Sequence, residues 1–161
     1  MFRLPALADL RRFDAKPSGG GLNGLPEWDL RDLYTATDAP EVARDFAWLD
    51  TTCADFAATY EGKLATLDAG AMLACIRAYE EIDIIAGRLM SFAGLRYYQM
   101  TTDSSRAKFM ADAQDRVTVA TTPLVFFSLE LNRIDDAAMA ALLDANADLG
   151  RYRPVIDRMR A

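Results

Sequence analysis

Glu80, Glu81 and Asp83 form the densest acidic cluster inside a helix-forming stretch of this sequence. Carboxylates on helices build metal sites in bundle proteins, where glutamates are combined with an E-x-x-H motif. The 161 residues include no histidine, so a solvated helix face is the reading the three acids support. The same absence removes the base of a Ser-His-Asp or Cys-His arrangement and both ligands of an H-E-x-x-H zinc site. Lysine and carboxylate chemistry remain formally open.

Other candidate motifs fail on context. Gly19, Gly21 and Gly24 match the G-x-G-x-x-G spacing of dinucleotide sites. No β-branched strand precedes them, and Pro26 stands where a helix should be under way, so the stretch reads as a linker. Gly62-Lys63 has the last two residue types of a phosphate-binding loop. Ala57 occupies the position of its first glycine, and Leu64 replaces the hydroxyl. Tyr97-Tyr98 beside Arg96 has the chemistry to line a ligand groove, although core and rim packing is the plainer role. Cys53 and Cys75, the only cysteines, fall on apolar helix stripes, where a free thiol acts as a small hydrophobe. A disulfide between them is allowed but unsupported, and two cysteines without histidine make no recognisable zinc site. No catalytic, cofactor-binding or metal-ligating residue is assigned.

The elements that must position these residues are helical. Length suggests one domain of about 100–150 residues, and a 52% apolar content suits a sizeable core. The net charge of −6 argues against non-specific nucleic-acid binding. Basic residues concentrate at the ends, four against two acidic ones in 1–16 and four against one in 151–161. Ordinary solvated termini explain that. There is no long apolar h-region at the start, and the longest uncharged run, Val117 to Leu129, is 13 residues, too short for a bilayer. A soluble cytoplasmic protein without nucleic-acid or membrane partners is the default expectation.

Residues 1–24 read as a flexible tail containing Lys16-Pro17-Ser18-Gly19-Gly20-Gly21. In the irregular segment that follows, Trp28, Leu30, Leu33 and Tyr34 are placed to anchor onto a helical body. Asp38-Ala39-Pro40-Glu41 has capping-box spacing, which predicts Asp38 as the N-cap of the first helix. Val42, Phe46, Leu49, Cys53, Phe56 and Tyr60 then recur at 4-3-4-3-4, one helical stripe that Gly62 ends. A second helix is predicted from Asp68 to Met100, with Met72, Cys75, Tyr79, Ile82, Ala86, Leu89, Ala93 and Met100 on one stripe. A third is predicted over 104–132, kinked where Pro123 removes a donor and meets the Val119 carbonyl. A short helix capped by Asp135 or Asp136 carries Met139, Leu142 and Leu143. A last one runs from Tyr152 to Arg160. The expected fold is all-α, an antiparallel bundle of long helical hairpins after an irregular N-terminal segment.

The order of several residues resembles one family. Leu25-Pro26-Glu27-Trp28-Asp29-Leu30 with Leu33-Tyr34 is similar to the opening of oligoendopeptidase F, a thimet-oligopeptidase-like zinc metallopeptidase. Tyr60-Glu61-Gly62-Lys63-Leu64, Tyr79-Glu80, Leu129-Glu130-Leu131-Asn132 and Tyr152-Arg153-Pro154 come in that family's order, so the resemblance covers 25–161. It implies a cytoplasmic parent that cleaves oligopeptides with one zinc ion, held by two histidines of H-E-x-x-H and a further glutamate. None of that motif is here, so no catalytic residue carries over. The implied role is the non-catalytic N-terminal helical domain, one wall of a substrate channel. Its partners would be the absent zinc-containing catalytic domain and, through it, oligopeptides.

The chain stops inside a predicted helix with no stop signal, which fits an artificially shortened chain, a proteolytic product or a split gene. The competing expectation is a stand-alone helical interaction module that forms a homodimer through exposed apolar faces. An intact hydrolase with unusual chemistry ranks third.

Overall fold

A computed structural model describes residues 29–160, and Trp28, the 1–24 tail and its glycine motif lie outside them. Compactness divides the chain into Met1–Leu30 and Arg31–Ala161, and every described helix belongs to the second unit. That unit is all-α. The helices are α1 (Pro40–Tyr60), α2 (Ala69–Gln99), α3 (Ser104–Thr121), α4 (Val125–Arg133), α5 (Asp136–Ala145), α6 (Ala147–Gly150) and α7 (Arg153–Arg160). Single 3-10 turns lie at Leu64–Thr66 and Thr122–Leu124, and no strand occurs among the described residues. No helix among them is long and apolar enough to cross a membrane.

Helix α1 begins one residue later than the capping-box spacing predicts. Its N-cap is Ala39, in extended conformation, with Pro40 at the first helical position and no side-chain cap. The reason is the proline: its ring disfavours helical geometry in the preceding residue, so Ala39 cannot be the first turn that an Asp38 cap requires. At the other end Gly62 takes φ +77°, a conformation that suits glycine. Lys63 closes this end by donating from Nζ to the Thr59 carbonyl at 2.6 Å. A cation on the last carbonyls also complements the helix dipole.

Helix α2 is 31 residues, about 46 Å long. Asp68 caps it, accepting from the Ala71 amide at 2.8 Å. Met100, placed on its apolar stripe by spacing, lies past the last turn and is 50% exposed. The rest of the stripe holds better: Met72, Cys75, Ile82, Leu89 and Ala93 are all buried, and Ile76 and Phe92 widen it. Helix α2 packs against both α1 and α3, which explains an apolar arc broader than one neighbour needs. Asp103 caps α3, its Oδ1 accepting from the amides of Ser105 and Arg106 at 2.8 and 3.2 Å.

The stretch expected as one helix over 104–132 is two. Pro123 has no N–H to give the Val119 carbonyl, and the chain tightens into the Thr122–Leu124 turn before resuming as α4. The hydroxyls of Thr121 and Thr122 bond back to the Val117 and Thr118 carbonyls at 2.8 and 2.7 Å, holding the bend. Asp135 caps α5. Helix α6, a single turn capped by Asn146, is an addition to the elements expected from the sequence.

Candidate functional site

Two clusters join distant parts of the unit. The first centres on Asp45, the one buried charged residue among those described. It shares a face of α1 with Val42, Phe46 and Leu49, so burial of the apolar stripe takes the carboxylate inside. Tyr34 donates its hydroxyl to Asp45 Oδ2 at 2.8 Å and accepts from Arg88 Nε at 3.0 Å. Arg88 Nη2 donates to the same Oδ2, while Arg44 Nε reaches Oδ1 at 3.2 Å. The Arg88 guanidinium also lies over the Tyr34 ring, 4.7 Å from its centroid.

The environment shifts all three groups. Burial pushes the Asp45 carboxyl up, but hydrogen bonds from Tyr34, Arg88 and Arg44 outweigh it and hold it below the usual range. Burial raises the Tyr34 phenol, and the hydrogen bond to Tyr34 raises Arg88. Tyr34, Asp45 and Arg88 therefore keep their ordinary charges at neutral pH. A satisfied carboxylate locked between a phenol and a guanidinium is a fastener, with no poised base.

The second cluster is open. Helices α2, α4 and α7 wall a groove of about 430 Å³, inside the size range of small-ligand sites. Each wall is one helical stripe: Ile76, Tyr79, Glu80 and Asp83 on α2, Phe127 and Leu131 on α4. Tyr152, Val155, Ile156 and Met159 complete it from the α7 side. Tyr79 and Phe127 stack at 4.2 Å with their planes 18° apart. Phe56 supports Phe127 from α1, edge-on at 5.7 Å. Tyr152 donates to Glu80 Oε2 at 2.7 Å, and that bond raises its phenol.

Next to the groove, and sharing Glu80 and Tyr152 with it, is a polar notch of about 190 Å³ bordered by Arg77, Asp148 and Arg151. Asp148 pairs with Arg77 at 3.3 Å and with Arg151 at 3.6 Å. No protein-family model, curated protein or solved structure matches this chain. The chemistry of these residues must therefore speak for itself.

The acidic cluster singled out in the sequence is exposed, as a solvated face requires. Glu80 and Asp83 nonetheless edge the groove while Glu81 does not. Among the described residues no group of three histidine, cysteine or acidic side chains is arranged to hold a metal ion. The Gly62-Lys63 pair serves the end of α1. Glu130 reaches back to it from α4, accepting from the Gly62 amide at 2.6 Å and the Leu64 amide at 3.3 Å. Tyr97 and Tyr98 face each other at 5.4 Å, with Tyr98 70% exposed. Arg96 beside them contributes its carbonyl to Arg106, and its own Nε is buried without a partner. Cys53 and Cys75 are buried and free.

Sequence reasoning missed Asp45, Arg88 and the groove. Asp45 had a visible signal, a charge at an apolar-stripe position. The groove had none, because its walls come from three helices that are not neighbours in the chain.

Proposed function

We propose that this chain is the non-catalytic N-terminal helical domain of an oligoendopeptidase-F-like zinc metallopeptidase, one wall of a channel that holds oligopeptide substrates. One observation carries the reading. The residues whose order resembles that family fasten one another: Glu130 of Leu129-Glu130-Leu131-Asn132 binds the amides of Gly62 and Leu64. Likewise Tyr152 of Tyr152-Arg153-Pro154 binds Glu80 of Tyr79-Glu80. Short motifs scattered over a chain by chance have no reason to meet in pairs; motifs that jointly define one helical scaffold do. The absence of histidine from all 161 residues is in keeping with a division of labour in which the metal belongs to another domain.

The test has two parts. The reading frame beyond codon 161, or a neighbouring gene, should encode an H-E-x-x-H motif. Oligopeptide cleavage should require that polypeptide, with the present chain inactive alone. Absence of the motif from both places, or chelator-sensitive turnover by this chain by itself, sinks the proposal.

A second reading, a self-associating helical module, is favoured by the outer face of α2. Ile84, Leu95 and Tyr98 project there, 56%, 37% and 70% exposed. By spacing, Ile84, Arg88, Ser91, Leu95 and Tyr98 follow one 4-3-4-3 line of α2, whose one charge, Arg88, is engaged by Tyr34 and Asp45. Sedimentation velocity across a concentration series separates the readings: a dimer that Tyr98→Glu dissolves supports the module, and a strict monomer removes it.

A further inference from the structure

We infer that the groove between α2, α4 and α7 takes a peptide segment presenting an apolar side chain beside a lysine or arginine side chain. The peptide identity rests on the proposed function; the charge and polarity come from the groove itself. Its lining is largely aliphatic and aromatic and includes the stacked Tyr79–Phe127 pair. Among the described residues its ionised borders are Glu80 and Asp83, and no lysine or arginine lines it. Glu80 has one oxygen engaged by Tyr152, whereas Asp83 forms no ion pair or hydrogen bond among the described residues. An anionic ligand in the groove would face two carboxylates, since the nearest guanidinium groups, Arg77 and Arg151, lie in the neighbouring notch and pair with Asp148. A cation would gain charge-assisted hydrogen bonds at the exposed rim of an apolar groove.

The notch explains why a peptide suits the site better than a simple amine. It continues the groove past Glu80 and Tyr152, and its guanidinium groups, Arg77 and Arg151, each make one ion pair to Asp148. A guanidinium has five N–H donors, so both retain donors for the backbone carbonyls of a chain leaving the groove. Along α2 the three chemistries succeed one another, a carboxylate at Asp83, the apolar floor at Tyr79 and guanidinium donors at Arg77. An extended peptide with a cationic group, an apolar side chain and then bare carbonyls matches that order.

The experiment is an NMR titration of the full 161-residue chain with capped tetrapeptides Lys-Phe-Leu-Ala and Glu-Phe-Leu-Ala, and with phenethylamine. The lysine peptide should shift the amides of Glu80–Asp83 and Val155–Met159, and bind about tenfold more tightly than the glutamate peptide. Asp83→Asn should weaken it by about tenfold, and added salt should weaken it further. Val155 is 51% exposed at the rim, so Val155→Arg should fold normally and abolish binding; Val155→Ala should fold and retain it. Equal binding of the two peptides, no binding, shifts confined to other helices, or phenethylamine matching the lysine peptide would each overturn the assignment. The two proposals fail separately. A missing H-E-x-x-H leaves a positive titration standing as a peptide site of a different protein class, while a negative titration beside an encoded H-E-x-x-H removes the groove assignment alone.

Discussion

Tyr34 and Asp45 are joined by a 2.8 Å hydrogen bond between a turn outside the helices and the first turns of α1. The Tyr34 ring meets Phe92 of α2 edge-on at 5.2 Å, so one side chain ties an irregular segment to two helices. Arg88 completes the tie from α2. Asp45 is the shared acceptor, so its removal takes a partner from Tyr34, Arg88 and Arg44 together.

Asp45→Ala should therefore cost about 3 kcal/mol, the lower end for breaking a buried ion pair, because Arg88 retains partial solvent access. Tyr34→Phe keeps the ring and its contact with Phe92 and loses only the hydroxyl, so about 1 kcal/mol is expected. Urea unfolding followed by circular dichroism gives both values. Equal losses for the two variants would mean that the carboxylate contributes only through its bond to the Tyr34 hydroxyl.

The same carboxylate sets a pH dependence. Its folded pKa lies below the ordinary value of 3.8, so the folded state favours the charged form more than the unfolded chain does. The resulting stability is fully present above the unfolded pKa and disappears as pH falls through the folded one. Asp45→Asn has no such window. The stability gap between wild type and Asp45→Asn should be constant near neutrality and shrink below about pH 4. A gap independent of pH would show that charge at this position contributes nothing.

Burial along each helix was legible because its cause is local. The 4-3 spacing from Val42 to Tyr60 places residues on one face whatever that face meets, and five of its six members are no more than 4% exposed. Tyr60 is less covered because α1 ends there. Pro123 announced its break for an equally local reason, a missing donor. The Asp38 cap failed by one residue because two local rules compete at Asp38-Ala39-Pro40-Glu41, and the restriction that Pro40 puts on Ala39 wins. Asp45 was passed over because an apolar stripe invites attention to its apolar members; the charge among them was the more informative residue. The groove could not be read at all, since Tyr79, Phe127 and Tyr152 meet only through the pairing of α2, α4 and α7.

Gly62 offers a test of how the end of α1 is held. Its φ of +77° strains any residue with a side chain, while a Cβ there would touch nothing within 4 Å. Gly62→Ala should cost about 1 kcal/mol through the backbone alone. Glu130→Ala leaves the Gly62 and Leu64 amides without their acceptor at the same turn, and about 1 kcal/mol is expected again. Because both act on one turn, the double variant should lose less than the combined single losses, and a thermodynamic cycle measures the difference. Strict additivity would show that Glu130 does not hold the glycine turn.

The two cysteines give the last prediction. Cys53 and Cys75 are fully buried among apolar side chains, and burial pushes their thiols up to about 11 and about 12, with the charges of Asp50 and Glu130 adding to the effect. At pH 8 the thiolate fraction would be about a thousandth for Cys53 and smaller still for Cys75. The thiolate is the reactive form, and neither sulfur is accessible to a reagent, so low ionisation and exclusion act together. Ellman's reagent should find no reactive thiol in native buffer and two in denaturant, with the native rate following global unfolding. Cys75→Ala leaves a small void, whereas Cys75→Ser puts a hydroxyl among apolar neighbours, so Ser should be as destabilising as Ala or more so. Rapid modification of the native chain would place at least one cysteine outside the core, and serine better tolerated than alanine would show that the site is polar after all.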